Sequence, residues 1–185
     1  MMTEISLNIL DIAENSIRAE ASLIQIKVAA DGEEDTLTVE INDNGKGMNE
    51  EQVNQCMDPF FTTRNTRKVG LGISFFKMAA IATGGSFEIS STEGTGTDVK
   101  AVFKLSHIDR MPLGDINSTI YTLIAFNTNI DFIFTYSYDE RQFILDTREF
   151  KEILEGIPLN SSDVLKYLKE YLDENKLEVD RNLLP

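Results

Sequence analysis

The fold of this chain is decided by the stretch TLTVEINDNGKGM, residues 36–48. Apolar and polar residues alternate in its first half, which is the pattern of a strand with one buried face. The strand leads into Asp43, and Gly45 and Gly47 follow. A carboxylate at such a position can accept the exocyclic amino group of adenine, and glycines let the backbone approach a flat base closely. Taken by itself, the turn is equally compatible with an Asn-Gly loop that binds nothing.

The segments around this stretch alternate between helical and strand patterns. In chain order they predict a helix at 4–19, strands at 22–30 and 36–42, a helix from Asn49 with Gln52 as its capping-box partner, a helix at 71–82, and strands at 86–91 and 97–105. This order predicts a two-layer α/β sandwich, with a mixed sheet and helices on one face.

A second part of the chain follows a boundary near residues 109–112. Its patterns predict helices at 115–126, 147–154 and 162–172, and a hairpin formed by 131–138 and 142–146. We therefore expect an N-terminal domain at 1–108 and a small C-terminal α+β unit at 112–185. The second part carries no recognisable cluster of reactive side chains, which favours a role in partner docking or dimerisation.

Composition excludes several classes of partner. The chain carries 17 Lys and Arg against 31 Asp and Glu, a formal net charge of −14. Such a surface repels nucleic acid and anionic lipid. No apolar run approaches the roughly 18 residues of a membrane span, and the single cysteine, Cys56, excludes an intrachain disulfide. We expect a cytoplasmic protein without nucleic-acid or membrane partners.

The predicted helix at 4–19 presents polar side chains on one face. Asp11 and Asn15 lie one turn apart there. The amide oxygen of Asn15 can be a ligand of Mg²⁺, which takes few protein ligands. Asp11 can orient or deprotonate a group near a terminal phosphate. Alternatively, both residues belong to a solvated helix face.

A glycine pair opens the predicted helix at 71–82, in the sequence Gly70-Leu71-Gly72-Ile73-Ser74. Free N–H groups at a helix N-terminus attract phosphate, and glycines allow close contact. A basic cluster lies just upstream and consists of Arg64, Arg67 and Lys68. These cations could cover phosphates from a lid, or they could be three exposed loop residues.

Together these motifs resemble those of the GHKL superfamily, which includes gyrase, the large heat-shock chaperones, histidine kinases and MutL. Five motifs recur in order over residues 1–106: Asp11 to Asn15, Asp43 to Met48, Asp58 to Thr63, Gly70 to Ser74 and Gly94 to Thr97. The resemblance implies the Bergerat ATP-binding fold, with ATP and Mg²⁺ as its ligands.

The resemblance also implies roles for individual residues. Asn15 is the expected Mg²⁺ ligand, Asp43 the adenine partner and Thr97 a helper at the adenine. Asp11 is the expected catalytic residue. The other expected nucleotide-binding residues belong to the same motifs and the lid: Gly45, Lys46, Gly47, Met48, Phe60, Arg64, Arg67, Lys68, Gly70, Leu71, Gly72 and Ile73.

Two departures from the family pattern leave the activity open. Members that hydrolyse ATP and the anti-sigma serine kinases carry Glu four residues before the Asn, where this chain has Asp11. Histidine kinases carry a dimerising helical hairpin with the phosphoacceptor His before the ATP domain. Here the resemblance begins almost at the first residue, so we do not expect a self-phosphorylating histidine kinase.

The leading expectation is a histidine-kinase-like regulatory module that binds Mg-ATP and transfers phosphate to, or switches the binding of, a separate protein partner. The alternatives are a sensor or assembly factor that binds ATP or ADP without cleaving it, and a slow MutL-like ATPase. Residues 112–115 and 145–149 resemble short stand-alone ATPase-domain proteins of anaerobic bacteria, which are often encoded beside hydrogenase subunits. A hydrogenase complex and a homodimer are therefore two assemblies to consider.

Overall fold

The computed structural model describes residues 3–58 and 72–184 of the chain. Its elements in chain order are α1 (Ile5–Arg18), β1 (Leu23–Asp31), β2 (Thr36–Asp43), α2 (Glu50–Met57), α3 (Gly72–Ala82), β3 (Ser86–Thr92), β4 (Gly96–Lys104), α4 (Ile116–Phe126), β5 (Asp131–Tyr138), β6 (Arg141–Asp146), α5 (Thr147–Ile153) and α6 (Ser162–Asp180). None of the helices in these two ranges is long and apolar enough to span a membrane.

The six strands form one mixed sheet, ordered β3-β4-β2-β1-β5-β6. At its centre, β1 pairs antiparallel with β2 and parallel with β5. The hairpin of β3 and β4 extends the sheet beyond β2, and the hairpin of β5 and β6 extends it beyond β1. The predicted α/β sandwich with a mixed sheet is confirmed.

One face of the sheet is buried and the other is open. On β1, Ile24, Ile26 and Val28 are buried, and the residues between them are exposed. On the open face, Lys100 lies 3.0 Å from the carboxylate of Glu40 in a half-exposed ion pair. Because only one face is apolar, the helices pack on that side and leave the other to water.

The C-terminal segment continues the sheet that the N-terminal segment begins. In the parallel pairing of β5 with β1, Phe132 lies opposite Ile24 and Phe134 opposite Ile26. The two predicted parts therefore share one sheet and one hydrophobic core. The alternation of apolar and polar residues in a strand indicates which face is buried but not which strand lies alongside. The sequence therefore did not indicate this pairing. The division into a domain at 1–108 and a unit at 112–185 stays a prediction.

The first residues of the C-terminal unit are bound to the start of α1. The backbone N–H groups of Ile5 and Ser6 donate to the carbonyl oxygens of Pro112 and Leu113, at 3.0 and 2.9 Å. A helix N-terminus leaves such donors unpaired, and the side chain of Glu4 provides no cap here. The segment before α4 thus supplies acceptors for the first N–H groups of α1.

Two helix ends show how local and long-range signals differ. α2 begins with the predicted capping box, in which Asn49 and Gln52 exchange side-chain and backbone hydrogen bonds of 2.9 and 3.0 Å. α6 ends at Asp180, so the predicted end at residue 172 is wrong. Its apolar stripe continues to the buried Val179, and the polar residues before Val179 concealed this continuation.

A buried polar network joins the end of α6 to β5. The carboxylate of Asp180 is fully buried and accepts from the Tyr136 hydroxyl and the Lys176 ammonium group, both at 2.6 Å. It also accepts from the backbone N–H of Asn182 at 2.9 Å. Burial, together with this hydrogen bond to Asp180, raises the pKa of Tyr136, so its hydroxyl remains a donor.

We predict that Asp180→Ala lowers the free energy of unfolding by about 3–5 kcal/mol, because Lys176 and Tyr136 would lose their acceptor in a buried site. Urea titration followed by circular dichroism measures the change. Glu170→Ala on the same helix is the control, because its ion pair with Lys166 is exposed, and we expect a change below about 0.5 kcal/mol. Equal losses in the two variants would contradict the role given to Asp180.

Candidate functional site

The carboxylate of Asp43 lies where the end of β2 meets the C-terminal half of α1. Its Oδ2 accepts from the hydroxyl of the buried Ser16 at 2.5 Å, and its Oδ1 accepts from the backbone N–H of Gly45 at 2.9 Å. An ionised carboxylate offers about four lone-pair positions. Asp43 is therefore a fixed, half-buried acceptor that can still bind an external N–H group.

The turn after β2 requires glycine at two positions. Gly47 has a φ of +65°, and a Cβ atom there would lie 2.0 Å from the carbonyl oxygen of Thr92. At Gly45, a Cβ atom would lie 2.8 Å from the carbonyl oxygen of Ala19. Both distances are shorter than those that real Cβ atoms show. The turn can therefore pack against α1 and the β3–β4 hairpin only with glycine at these two positions.

Two further residues of the turn are tied to its surroundings. The backbone N–H of Lys46 donates to Ala19 at 2.9 Å, and its carbonyl accepts from the N–H of Gly94 at 2.7 Å, while its side chain is exposed. Met48 packs against the core, and its N–H donates to the hydroxyl of Ser91 at 2.8 Å. The turn is thus held by α1 and by the β3–β4 hairpin.

Thr97 lies beside Asp43 in the pairing of β4 with β2. The hydroxyl of Ser91 accepts from Met48 and donates to the carbonyl of Gly96 at 2.9 Å. A serine has one hydroxyl proton, so the 2.8 Å contact between the Thr97 and Ser91 hydroxyls uses the proton of Thr97. The lone pairs of Thr97 therefore remain available as acceptors next to Asp43.

A carboxylate and a glycine face each other where α1 meets α3. A Cβ atom added at Gly72 would lie 1.6 Å from Oδ2 of Asp11. Only glycine leaves this volume to the half-exposed Asp11, so the structure brings the helix motif and the second glycine motif into contact. The side chain of Ile73 packs in the core, with 6% of its surface exposed.

Asn15 lies one turn after Asp11 on α1. It is half-exposed, and its Oδ1 accepts a hydrogen bond from Nη2 of Arg18. Residues 3–58 and 72–184 contain no group of three His, Cys, Asp or Glu side chains that could hold a metal ion by themselves. A single amide oxygen suits Mg²⁺ when phosphates and waters complete its shell. The donor set therefore fits a Mg²⁺ ion that arrives with a nucleotide.

Sequence reasoning missed Ser16 and Ser91 as members of the site. Each is a small hydroxyl residue in a regular element, and its hydrogen-bond partner lies far away in sequence or on another strand. The adjacency of Ser16 to Asn15 was the one available signal. Six predicted residues lie outside the described ranges: Phe60, Arg64, Arg67, Lys68, Gly70 and Leu71.

The fold and the arrangement of these motifs define a class of protein. A mixed sheet with helices on one face brings an acidic strand end, a glycine turn and an Asn-bearing helix together, as in Bergerat ATP-binding domains. The family model for histidine kinase-, DNA gyrase B- and HSP90-like ATPases matches residues 3–107. The chain belongs to this family, and the GHKL resemblance predicted from the motifs is confirmed.

The chain is also similar to parts of longer bacterial sensor proteins. It is 28% identical over 108 residues to a Rickettsia conorii protein described as an NtrY-like sensor histidine kinase. This match covers 58% of this chain and 18% of that protein. It is 39% identical over 70 residues to a protein of Shewanella frigidimarina described as a sensor protein. This match covers 37% of this chain and 11% of that protein. The matches thus span less than a fifth of these relatives.

Two solved structures share the fold. The N-terminal domain of a DNA repair protein aligns with a TM-score of 0.55 at 14% identity, covering 90% of this chain and 56% of that one. The Aquifex aeolicus MutL ATPase domain, complexed with ADP, aligns with a TM-score of 0.51 at 15% identity. This alignment covers 84% of this chain and 70% of that one. The first alignment covers 90% of this chain, which is more than residues 1–108 alone. The shared fold therefore extends into the C-terminal segment.

We predict that Gly47→Ala destabilises the protein by about 1–3 kcal/mol more than Gly94→Ala. Both glycines have positive φ, so both variants incur the left-handed strain of about 1–2 kcal/mol. A Cβ atom at Gly94 meets open space, whereas one at Gly47 meets the backbone of Thr92 and acts as overpacking. Thermal and urea unfolding measure both losses. Equal losses would show that the turn can move away from the hairpin.

Proposed function

We propose that this protein is a cytoplasmic, Mg-ATP-binding regulatory module of histidine-kinase-like type that acts on a separate protein partner. It either transfers the γ-phosphoryl group to that partner or uses its nucleotide state to switch partner binding. One observation carries the proposal: Asp43 is a fixed carboxylate with free acceptor capacity, bordered by the glycine turn and Thr97.

The adenine base and the Mg²⁺ ion of a bound nucleotide each have a matching group in this arrangement. Asp43 accepts the exocyclic amino group of adenine, and Thr97 adds a second acceptor beside it. Gly45 and Gly47 let the turn approach the base without side-chain interference. Asn15 supplies one oxygen to Mg²⁺. The ion neutralises charge on the nucleotide phosphates, which a protein of net charge −14 would otherwise repel.

Asp11 is the candidate base for phosphoryl transfer. Bound Mg-ATP supplies the γ-phosphoryl group, whose bond to ADP breaks as a bond to the partner's acceptor atom forms. When the acceptor is a hydroxyl, Asp11 takes the proton that the hydroxyl releases. Asp11 lies against Gly72, so its carboxylate is at the start of α3, the end of a helix that favours phosphate.

A non-catalytic nucleotide sensor is the second candidate, and Asp11 itself supports it. Aspartate is one methylene shorter than the glutamate of hydrolysing relatives, and displacements of about 1 Å can cost a hundredfold in rate. The carboxylate packs on Gly72, so its reach is limited by α3. In this version ATP or ADP changes the binding of the partner, and no phosphoryl group moves.

The partner is proposed to be a protein that docks on the C-terminal segment. Large apolar side chains are exposed there, including Phe126 at 81%, Ile153 at 79% and Tyr167 at 57%. The net charge of −14 disfavours nucleic acid and anionic membranes as partners. A homodimer and a complex of the hydrogenase type are the two assemblies that the proposal leaves for experiment.

We predict that Asp43→Asn weakens ATP and ADP binding by about 1–3 kcal/mol, because the amide lacks the charge of the carboxylate that accepts from adenine. Isothermal titration calorimetry with each nucleotide measures the loss. The matched control is Asp98→Asn, since Asp98 lies on β4 next to Thr97 but is exposed and bonded to Asn42. Full affinity in Asp43→Asn would refute the adenine site.

We predict that Asp11→Asn leaves nucleotide affinity nearly unchanged and abolishes transfer, because it removes the base and keeps the shape. The protein is incubated with Mg²⁺ and γ-labelled ATP, alone and with host-cell extract, beside the Asp98→Asn control. Label that moves to water or to a protein band in the unaltered protein and the control, but not in Asp11→Asn, supports the enzyme. Tight binding without label movement in any sample supports the sensor.

A further inference from the structure

Strand β6 forms one edge of the sheet. It pairs with β5 on one side, and within residues 3–58 and 72–184 no strand pairs with its outer side. An open edge leaves backbone N–H and C=O groups that a further strand can bind, and many proteins protect such edges with proline, lysine or a bulge. The sequence of β6, RQFILD, carries charge only at its two ends, and its register with β5 is continuous.

The pairing of β5 decides which backbone groups of β6 face outward. The N–H of Asp131 on β5 donates to Ser22, just before β1, at 2.9 Å. Since N–H groups alternate in direction along a strand, the even-numbered residues of β5 face β6. These residues lie opposite the odd-numbered residues of β6. The alternate residues Gln142, Ile144 and Asp146 therefore turn their N–H and C=O groups away from the sheet.

The side chains of these three residues match themselves in one antiparallel register. Ile144 is 52% exposed on the open face of the sheet, between the exposed Gln142 and the half-exposed Asp146. When two copies of β6 pair around a two-fold axis at Ile144, Ile144 meets itself and Gln142 lies opposite Asp146 of the second copy. An apolar pair is then flanked by amide–carboxylate pairs. Any neighbouring register places Ile144 opposite a polar residue instead.

Apolar surface continues from β6 onto the helices beside it. The ring of Phe143 lies 6.4 Å from that of Tyr171 on α6, and Tyr167, one turn earlier, packs 6.2 Å from Tyr171. Tyr167 also contacts Phe150 of α5 at 6.1 Å, and it is exposed together with Ile153 of the same helix. Two sheets joined at β6 would bring these helices together on one face, where burial of their apolar side chains favours association.

The opposite edge of the sheet does not offer a comparable surface. Strand β3 carries the exposed Glu88 near its middle, opposite Lys100 of β4. Two copies joined through β3 would bring their Glu88 carboxylates close together, and a charge in the middle of an edge strand is a protection against pairing. Of the two edges, β6 is therefore the one suited to self-association.

We propose that β6 is a self-association edge. Two copies of this chain pair through antiparallel β6 strands around a two-fold axis at Ile144, and their six-stranded sheets become one. A second copy is the occupant because the strand is complementary to itself, in shape and in charge. The inference goes beyond the proposed function, since β1 and β5 separate β6 from the strand end that carries Asp43.

Disulfide trapping tests the register. The single cysteine of the chain, Cys56, is buried, so an introduced cysteine is the accessible thiol. Opposite residues that exchange hydrogen bonds have Cα atoms about 5.5 Å apart, a distance that a disulfide can span. We expect Ile144→Cys to form a covalent dimer on mild oxidation, measured by non-reducing gel electrophoresis. Gln142→Cys should stay monomeric, because the two copies of residue 142 lie about 14 Å apart in this register.

Glu88→Cys, which places an exposed thiol on the opposite edge, is the matched control and should also stay monomeric. Covalent dimers in Gln142→Cys but not in Ile144→Cys would show that the axis lies elsewhere. Equal amounts of dimer in all three variants would show random collision. Either result overturns the proposal.

Charge variants test the contact at the axis without a covalent bond. Ile144→Lys and Ile144→Glu should each be monomeric at a concentration where the unaltered protein is a dimer, because like charges then lie directly opposite each other. An equimolar mixture of the two variants should recover the dimer, since opposite charges meet at the axis. Size-exclusion chromatography with light scattering measures the mass. Circular dichroism checks the fold, which a substitution at this exposed position should leave intact.

The other outcomes overturn the proposal and leave the nucleotide site unaffected. An unaltered protein that is monomeric at its highest soluble concentration has no self-association edge. Dimers that persist in both charge variants must use another surface, and a mixture that stays monomeric excludes pairing at Ile144. ADP binding by Ile144→Lys, measured in the same buffer, should equal that of the unaltered protein. Its value reports on the proposed function alone, whichever oligomeric state is found.

Discussion

Helix α1 is held at both ends by segments that are distant in sequence, and the candidate site depends on this constraint. At its start, the carbonyl oxygens of residues 112–113 accept its first N–H groups. Near its end, Ser16 donates to Asp43 at 2.5 Å. Because both ends are bound, the helix face that carries Asp11 and Asn15 keeps one orientation toward the strand end and the glycine turn.

The relative sizes of the interactions decide which parts of this arrangement can move. Ile5, Ile9 and Ile12 of α1 are buried, and each contributes about 1.5–3 kcal/mol. An exposed polar contact such as that between Arg18 and Asn15 contributes about 0.2–1 kcal/mol. Hydrophobic burial therefore fixes where the helix lies, and the exposed side-chain contacts at its end add little to its position.

Features with strong local signals were predictable from the sequence, and features formed across the sheet were not. The capping box at Asn49 and the alternation that marks β2 involve neighbours within a few residues. The network of Tyr136, Lys176 and Asp180 joins a strand to the end of a helix some forty residues later. No local pattern marks Asp180 as buried, because its apolar surroundings come from other elements.

The sequence by itself determined the order of the elements, the apolar face of each, and the motifs that identify the family. These are local properties, since they follow from periodicity, capping and the conformational freedom of glycine. Only the tertiary structure decided that the C-terminal hairpin lies beside β1, that residues 112–113 complete α1, and that Ser16 and Ser91 support the site. Partners far apart in sequence are selected by packing of the whole chain, and no single segment encodes that choice.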